Sequence, residues 1–289
     1  VEGFTIREGT GDYGGAVRCQ GSSPLFRSCI FFLNEATAGG GALHANSTSG
    51  PRLEDCTLHY NSAQSGGAVY MDGAQGWARN CTFKSNSATH RGGAAYLRWM
   101  AETAFEDCTF SRNTAGLDGG GVYSVDAESP FDLCVFVGNE APSGGGACLE
   151  TDFNPVEFTR CTIVDNDGGG ICCDEAYPVI TQSILALDRS GPAVDCTGWG
   201  QPSITHSYVF GNAGGDSLCG LSADNRFEDP LLCQYWTGDV RLCENSPCLP
   251  GLNPWGLHVG AAASGCPDCD SPVETMTWGL LKSRYRPGR

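Results

Sequence analysis

A unit of about 25 residues recurs through most of this chain, and a repeat of that length allows few architectures. Cys29, Cys56, Cys81, Cys108, Cys134 and Cys161 mark it, at spacings of 27, 25, 27, 26 and 27 residues. Phe4, Ser183 and Ser207 occupy the same column where the cysteine is replaced. Self-similarity at a fixed short period means one supersecondary unit stacked many times, each copy burying the face its neighbour leaves open.

Two residues after each marker stand Ile6, Phe31, Leu58, Phe83, Phe110, Phe136, Ile163, Leu185 and Val209. Side chains in a strand alternate faces, so the marker and this apolar column share the inner side. The residue between them (Thr57, Thr82, Thr109, Thr162) then points outward. Five residues after the marker come Asn34, Asn61, Asn86, Asn113, Asn139, Asn166, Asp188 and Asn212. An asparagine repeated once per coil can pass amide hydrogen bonds along a stack. Glycine pairs follow, as at Gly40-Gly41 and Gly92-Gly93, where the chain must turn or backbones must approach closely. The pattern predicts an all-β parallel β-helix of about nine to ten coils. Its shaft would be about 40 Å long at one strand spacing per coil.

Composition narrows the setting. Seventeen cysteines in 289 residues favour an oxidising compartment, and a net charge of −16 argues against nucleic acid and anionic membrane surfaces. No apolar run approaches the roughly 18 residues that span a bilayer, so no transmembrane segment is expected.

These residues resemble the right-handed parallel β-helix proteins of the pectin-lyase-like superfamily. The likeness is to secreted bacterial proteins with polymorphic outer-membrane-protein-like repeats. Val1-Glu2-Gly3-Phe4-Thr5-Ile6 is similar to a motif found inside such arrays. Asp229-Pro230-Leu231-Leu232-Cys233, Asn245-Ser246-Pro247-Cys248 and Asn253-Pro254-Trp255-Gly256 are similar to their final coils, and Thr277–Arg286 to a short terminal tail. The resemblance implies a secreted or cell-surface, bacterial protein and says little about chemistry.

Three regions are expected: a shaft over 1–215, irregular last coils and a disulfide-stapled cap over 216–265, and a basic tail over 266–289. Within the tail, Ser271-Pro272-Val273-Glu274 has the N-cap, Pro and acid of a capping box and predicts a short helix. The Cys column reads as buried core, because in-register neighbours have parallel Cβ vectors that suit a disulfide poorly. The expected disulfide pool is Cys148, Cys172, Cys173, Cys233, Cys243, Cys248, Cys266 and Cys269. Cys173 should face outward if Cys172 faces inward. Cys266-Pro267-Asp268-Cys269 has zinc-ligand spacing, but no second pair at matching spacing accompanies it, so no metal is assigned.

Enzymes of the resembled superfamily cut uronate polysaccharides with clustered carboxylates, calcium or a basic residue. Asp55 and Asp107, with Glu54 and Glu106 beside them, are separated by a coil that lacks both. Asp165, Asp167, Asp174 and Glu175 form the densest acidic stretch and read as solvated surface, with calcium as the lesser alternative. No catalytic residue or cofactor is assigned. Arg18, His44, Tyr70 and Tyr96 fall in one outward column, an aromatic-basic stripe that could stack on sugars but reads first as ordinary exposed strand residues.

The leading expectation is therefore a non-catalytic extracellular structural or surface protein whose partners are its own copies or cell-surface components. An open first coil would stack head to tail through Val1, Phe4 and Ile6 against Trp278, Leu281 and Tyr285. The alternative is a carbohydrate-active β-helix protein, either lyase-like or a glycan-binding adhesin, with a polysaccharide partner.

Overall fold

The computed structural model describes residues 1–150, 155–267 and 269. The expected helix and the tail residues Trp278, Leu281 and Tyr285 lie outside the described residues. What is described is a right-handed-type parallel β-solenoid of about ten turns.

Each turn carries up to four short strands on four faces. Taking one turn as the pattern, Leu25–Arg27 lies on the first face, Ile30–Phe32 on the second, Glu35–Gly39 on the third and Leu43–Asn46 on the fourth. The first and second faces become sheets of nine strands, the third of five and the fourth of eight. Pairing is parallel and in register, so equivalent residues stack: Phe31 on Leu58, Phe83 on Phe110, Phe110 on Phe136.

Single residues in the left-handed region make the corners. One such column directly precedes the repeat cysteine, at Ser28, Asp55, Asn80 and Asp107, and another directly precedes the asparagine, at Leu33, Tyr60, Ser85 and Arg112. Each non-glycine residue held there costs of the order of 1 kcal/mol, so neighbouring bonds must hold it. Asn113 shows how. Its Nδ2 donates to the Phe83 carbonyl at 3.0 Å and to Asn139 Oδ1 at 2.9 Å, and its backbone N–H donates to the same Oδ1 at 3.0 Å. The arrangement runs from Asn34 to Asn166 and closes on Asp188 and Asn212, all buried.

The cysteine column performs the same task at the other corner, which reading it as plain core had missed. Cys108 Sγ donates to the Glu106 and Ala78 carbonyls, both at 3.4 Å, and Cys134 Sγ to Asp132 and Phe105 at 3.3 and 3.4 Å. This explains why serine can stand in. Cys161 N–H donates to Ser183 Oγ at 3.0 Å and Ser183 N–H to Ser207 Oγ at 3.1 Å. The thiols are buried and unpaired.

The interior is aromatic. Phe83, Phe110 and Phe136 stack with centroids 4.8 Å apart on the second face. Phe105, Phe131 and Phe158 stack at 5.0 and 4.9 Å on the first. The two columns meet edge to face, with Phe105 and Phe110 5.5 Å apart at 65°.

The C-terminal part departs from expectation. Leu221–Ala223 completes the first face, but the following segment leaves the axis and lies on the flank of the shaft instead of over its end. Leu232–Gln234 pairs antiparallel with Asp239–Cys243, which pairs parallel with Ser264–Cys266. Leu232, Val240, Leu242, Cys248 and Val259 pack on the outer side of the second face against Val137, Val164, Ile184, Ala186 and Tyr208.

The disulfides are Cys233–Cys266 and Cys243–Cys269 in this flanking module, and Cys196–Cys219 at the end of the shaft. The last pair was not anticipated, and Cys148, Cys172, Cys173 and Cys248 from the expected pool form no disulfide. Cys148 and Cys172 are in-register neighbours on parallel strands, the geometry that disfavours a bond. Cys173 belongs to the inner core and Cys172 to the outer side, the reverse of the orientation considered from sequence.

Asp188 breaks the amide ladder chemically. Its Oδ1 accepts from Asn166 as an asparagine would, but its buried Oδ2 has no partner, and burial pushes its carboxyl well above the usual range. The repeat assigns that oxygen the Ile163 carbonyl, since Asn166 Nδ2 donates to Phe136 and Asn212 Nδ2 to Leu185. Only the protonated acid can make that bond. A raised folded pKa means the stabilisation is full below the unfolded value of about 3.9 and is lost as pH rises toward the folded one. Asp188→Asn should therefore stabilise the protein at pH 7 by about 1–3 kcal/mol. Thermal melts should show that gain vanishing near pH 3. For the thiol ladder, Cys108→Ser should cost less than about 1 kcal/mol and Cys108→Ala about 1–3, since alanine removes the donor and leaves its volume empty. Chemical denaturation of the two variants tests the order.

Candidate functional site

Two outer surfaces depart from ordinary solvated strand. The first is the stripe on the fourth face. Arg18, His44, Tyr70, Tyr96, Tyr123 and Cys148 are in register on successive coils. Their rings stack on one another, with centroids 5.4 Å apart for His44–Tyr70, 4.8 Å for Tyr70–Tyr96 and 5.1 Å for Tyr96–Tyr123. Tyr13 closes one end, 4.8 Å from His44.

This column is neither an exposed strand nor a sugar platform. Tyr123 is 1% exposed and Tyr70 6%, because the glycine-rich turn before each fourth-face strand lies over the rings. A Cβ at Gly39 would sit 2.5 Å from Tyr70 Cδ2, and one at Gly66 3.2 Å from Tyr96 Cβ. With both ring faces occupied, no face is left for a ligand. Ion pairs seal the rim. Arg91 pairs with Asp118 at 3.0 Å and Glu150 at 3.2 Å, and donates to Tyr123 Oη at 2.7 Å. Tyr123 Oη also hydrogen-bonds Glu150, and Arg98 grips Asp72 through two bonds of 3.1 Å.

The second surface is a cleft of about 250 Å³ between the second face and the flanking module. Thr82, Lys84, Thr109, Ser111 and Arg112 form its floor and Tyr235, Trp236, Thr237 and Gly238 its opposite wall. Lys84 ends the strand Thr82–Lys84 and points outward; Arg112 and Asp165 are left-handed corner residues, which throws their side chains out of the shaft. Arg112 Nη2 donates to the Thr237 carbonyl at 3.5 Å and ties floor to wall. The wall is the single turn of 3₁₀ helix Tyr235–Thr237, closed by Gly238 in the left-handed region. Tyr235 and Trp236 stand edge to face at 5.2 Å, and Trp236 is 59% exposed, so an indole face is open to a ligand.

Asp165 supplies the cleft's carboxylate. Burial raises its pKa, while Arg189, 3.7 Å away, and Arg112 act in the opposite sense. Of the acidic stretch singled out in the sequence, only Asp165 lines the cleft. Asp167 hydrogen-bonds Ser190, and Asp174 accepts from Thr197 at 2.8 Å at the edge of the fourth face. Glu54 and Glu106 are engaged on the first face by Arg27 at 2.8 Å and Arg79 at 2.9 Å, and Asp55 accepts from Asn80 at 2.7 Å. Val1 and Phe4 are exposed and Ile6 half-buried.

Sequence reading missed Lys84, Arg112 and Trp236. A signal was present for the first two, which stand three and four residues after successive marker cysteines and so share one corner. The flanking segment that brings Trp236 opposite them has no repeat to align.

A family model described as the right handed beta helix region matches residues 1–110 and 94–230. No curated protein and no solved structure matches the chain.

If the glycine turns act as a lid on the tyrosine column, Gly39→Ala should cost about 1–3 kcal/mol through overpacking. Adding Tyr70→Ala should recover part of that loss in a double-mutant denaturation cycle, and strict additivity would show that the contact carries no energy.

Proposed function

The chain belongs to the right-handed β-helix family, and from that premise we propose a non-catalytic extracellular surface protein that holds acidic polysaccharide in the cleft beneath its flanking module. One observation carries the reading. In a chain of net charge −16, two cations, Lys84 and Arg112, face an exposed indole across a cleft floored by hydroxyl side chains. Sugar rings stack their C–H faces on indole, hydroxyl groups bond to threonine and serine, and carboxylates pair with arginine. The cleft is smaller than the range of roughly 300–1,000 Å³ typical of sites that enclose a ligand. That size suits one residue of a longer chain lying along the shaft.

Hydrolysis by paired carboxylates needs two acids across the scissile bond, and Asp165 alone among the lining residues is one. The cystine content supports an oxidising, extracellular setting. A second reading, end-to-end assembly, is favoured by Leu221 and Phe227, which are 68% and 59% exposed at the last turn of the shaft. Light scattering and negative-stain microscopy at high concentration would show short monomeric rods if that reading is wrong.

For the cleft, titration with oligouronates followed by intrinsic tryptophan fluorescence should show saturable binding that weakens with salt. Trp236→Ala and Arg112→Ala should each reduce affinity by about 5- to 30-fold, that is about 1–2 kcal/mol. Neutral oligosaccharides should bind more weakly, and no unsaturated product should accumulate with calcium present. Binding unaffected by both substitutions would sink the assignment of the cleft.

A further inference from the structure

Four sulfur atoms meet in the flanking module. Cys233 comes from Leu232–Gln234, Cys243 ends Asp239–Cys243, Cys266 ends Ser264–Cys266, and Cys269 follows three residues on. They are paired as Cys233–Cys266 and Cys243–Cys269, but the two bonds touch. Cys266 Sγ lies 3.4 Å from Cys243 Sγ and 3.9 Å from Cys269 Sγ. The sulfurs of Cys233, Cys243 and Cys266 all lie within 4.8 Å of one another. Four thiolates around a tetrahedral zinc, each about 2.3 Å from the metal, have sulfurs about 3.8 Å apart. Cys266 Sγ already stands at about that spacing from both Cys243 and Cys269, and reduction lets the two bonded pairs open to it.

Backbone pairing holds it there independently of the S–S bonds. Leu232 is opposite Leu242, and Cys243 is opposite Cys266. Asn245 clamps the Cys269 backbone at both ends, with Nδ2 donating to its carbonyl at 2.8 Å and Oδ1 accepting from its N–H at 2.9 Å. The Cys266-x-x-Cys269 pair has knuckle spacing, and the hairpin carrying Cys233 and Cys243 supplies the second pair that sequence alone could not locate. Arg241 passes beside Gly265, where a Cβ would meet its Cδ at 2.5 Å. Its guanidinium is held by Asp239 through bonds of 2.8 and 2.7 Å, which fixes the strand beside Cys266.

We propose that, when both disulfides are reduced, these four cysteines form a tetrahedral tetrathiolate Zn²⁺ site. The same module is then held by two disulfides in oxidising surroundings and by one metal ion in reducing ones. With a trialkylphosphine as reductant, each disulfide takes two electrons and two protons and yields two thiols. The phosphine takes the oxygen of one water and leaves as its oxide. Metal binding then releases the four thiol protons to solvent.

The test uses the full chain, reduced anaerobically with a trialkylphosphine and titrated with Co²⁺. One equivalent should bind, giving thiolate-to-cobalt charge-transfer absorption and the visible bands of tetrahedral cobalt, both abolished by Zn²⁺. Cys233→Ser and Cys269→Ser should each weaken binding by more than about 100-fold, beyond what loss of a merely supporting residue costs. Cys248→Ser, in the same module but outside the cluster, should leave the titration unchanged. Absence of the tetrahedral spectrum in fully reduced protein overturns the proposal. So does an equal spectrum from the variant with all four cysteines replaced by serine.

Discussion

The whole structure depends on satisfying backbone polar groups at corners that repeat every turn. A parallel solenoid places a sharp bend at the same point of each coil, so any unpaired carbonyl or amide there is repeated along the shaft. Leaving one buried group unpaired costs about 1–3 kcal/mol, and a column of nine would exceed the stability of an ordinary domain. Two side-chain ladders answer this, one of carboxamides from Asn34 onward and one of thiols from Cys29 onward. Both sit next to a residue in the left-handed region, whose strain they help to hold.

The ladders also explain the chain's unusual chemistry. Eleven cysteines are buried and form no disulfide, and six of them are the marker column. A cysteine there is small enough to pack beside stacked phenylalanines, yet its one S–H has two carbonyls within reach. Ser183 Oγ reaches the equivalent carbonyls, Thr181 at 2.9 Å and Phe158 at 3.4 Å, Ser207 Oγ donates to Thr205 at 2.9 Å, and the column ends when Ser207 N–H donates to Asn225 Oδ1 at 3.0 Å. A high cysteine count in this fold is therefore weak evidence of disulfides. The three bonds found all lie beyond residue 195, where the repeat decays and chain entropy has fewer stacked partners to oppose it.

The architecture was legible because periodicity reports stacking directly. Phe83, Phe110 and Phe136 were placed inside from spacing alone, and they stack there. Orientation on the fourth face was less legible. The alternation putting Tyr70 and Tyr96 outward was correct, but the sequence does not show that the preceding glycines fold over them, because a glycine's lack of a side chain is silent about what approaches it. The disulfides were half legible for a related reason. Connectivity depends on how 216–267 leaves the axis, and no repeat constrains that path.

The location of the cleft follows from where the outer columns of the second face change character. One residue past the marker the column reads Thr57, Thr82, Thr109, then Val135, Thr162, Ile184, Tyr208; three residues past, it reads His59, Lys84, Ser111, then Val137, Val164, Ala186, Phe210. An outward strand face that turns apolar must be covered, and the flanking module covers it from Val137 to Tyr208. Thr162, the polar survivor in that stretch, is fully buried and accepts from the Ala261 N–H at 2.9 Å. The module stops where Thr109, Lys84 and Ser111 begin, and its last exposed ring, Trp236, overhangs them. The cleft is thus the seam between the covered and uncovered halves of one sheet. Regularity ends at one coil, and the side chains at that boundary are the ones that line the cleft.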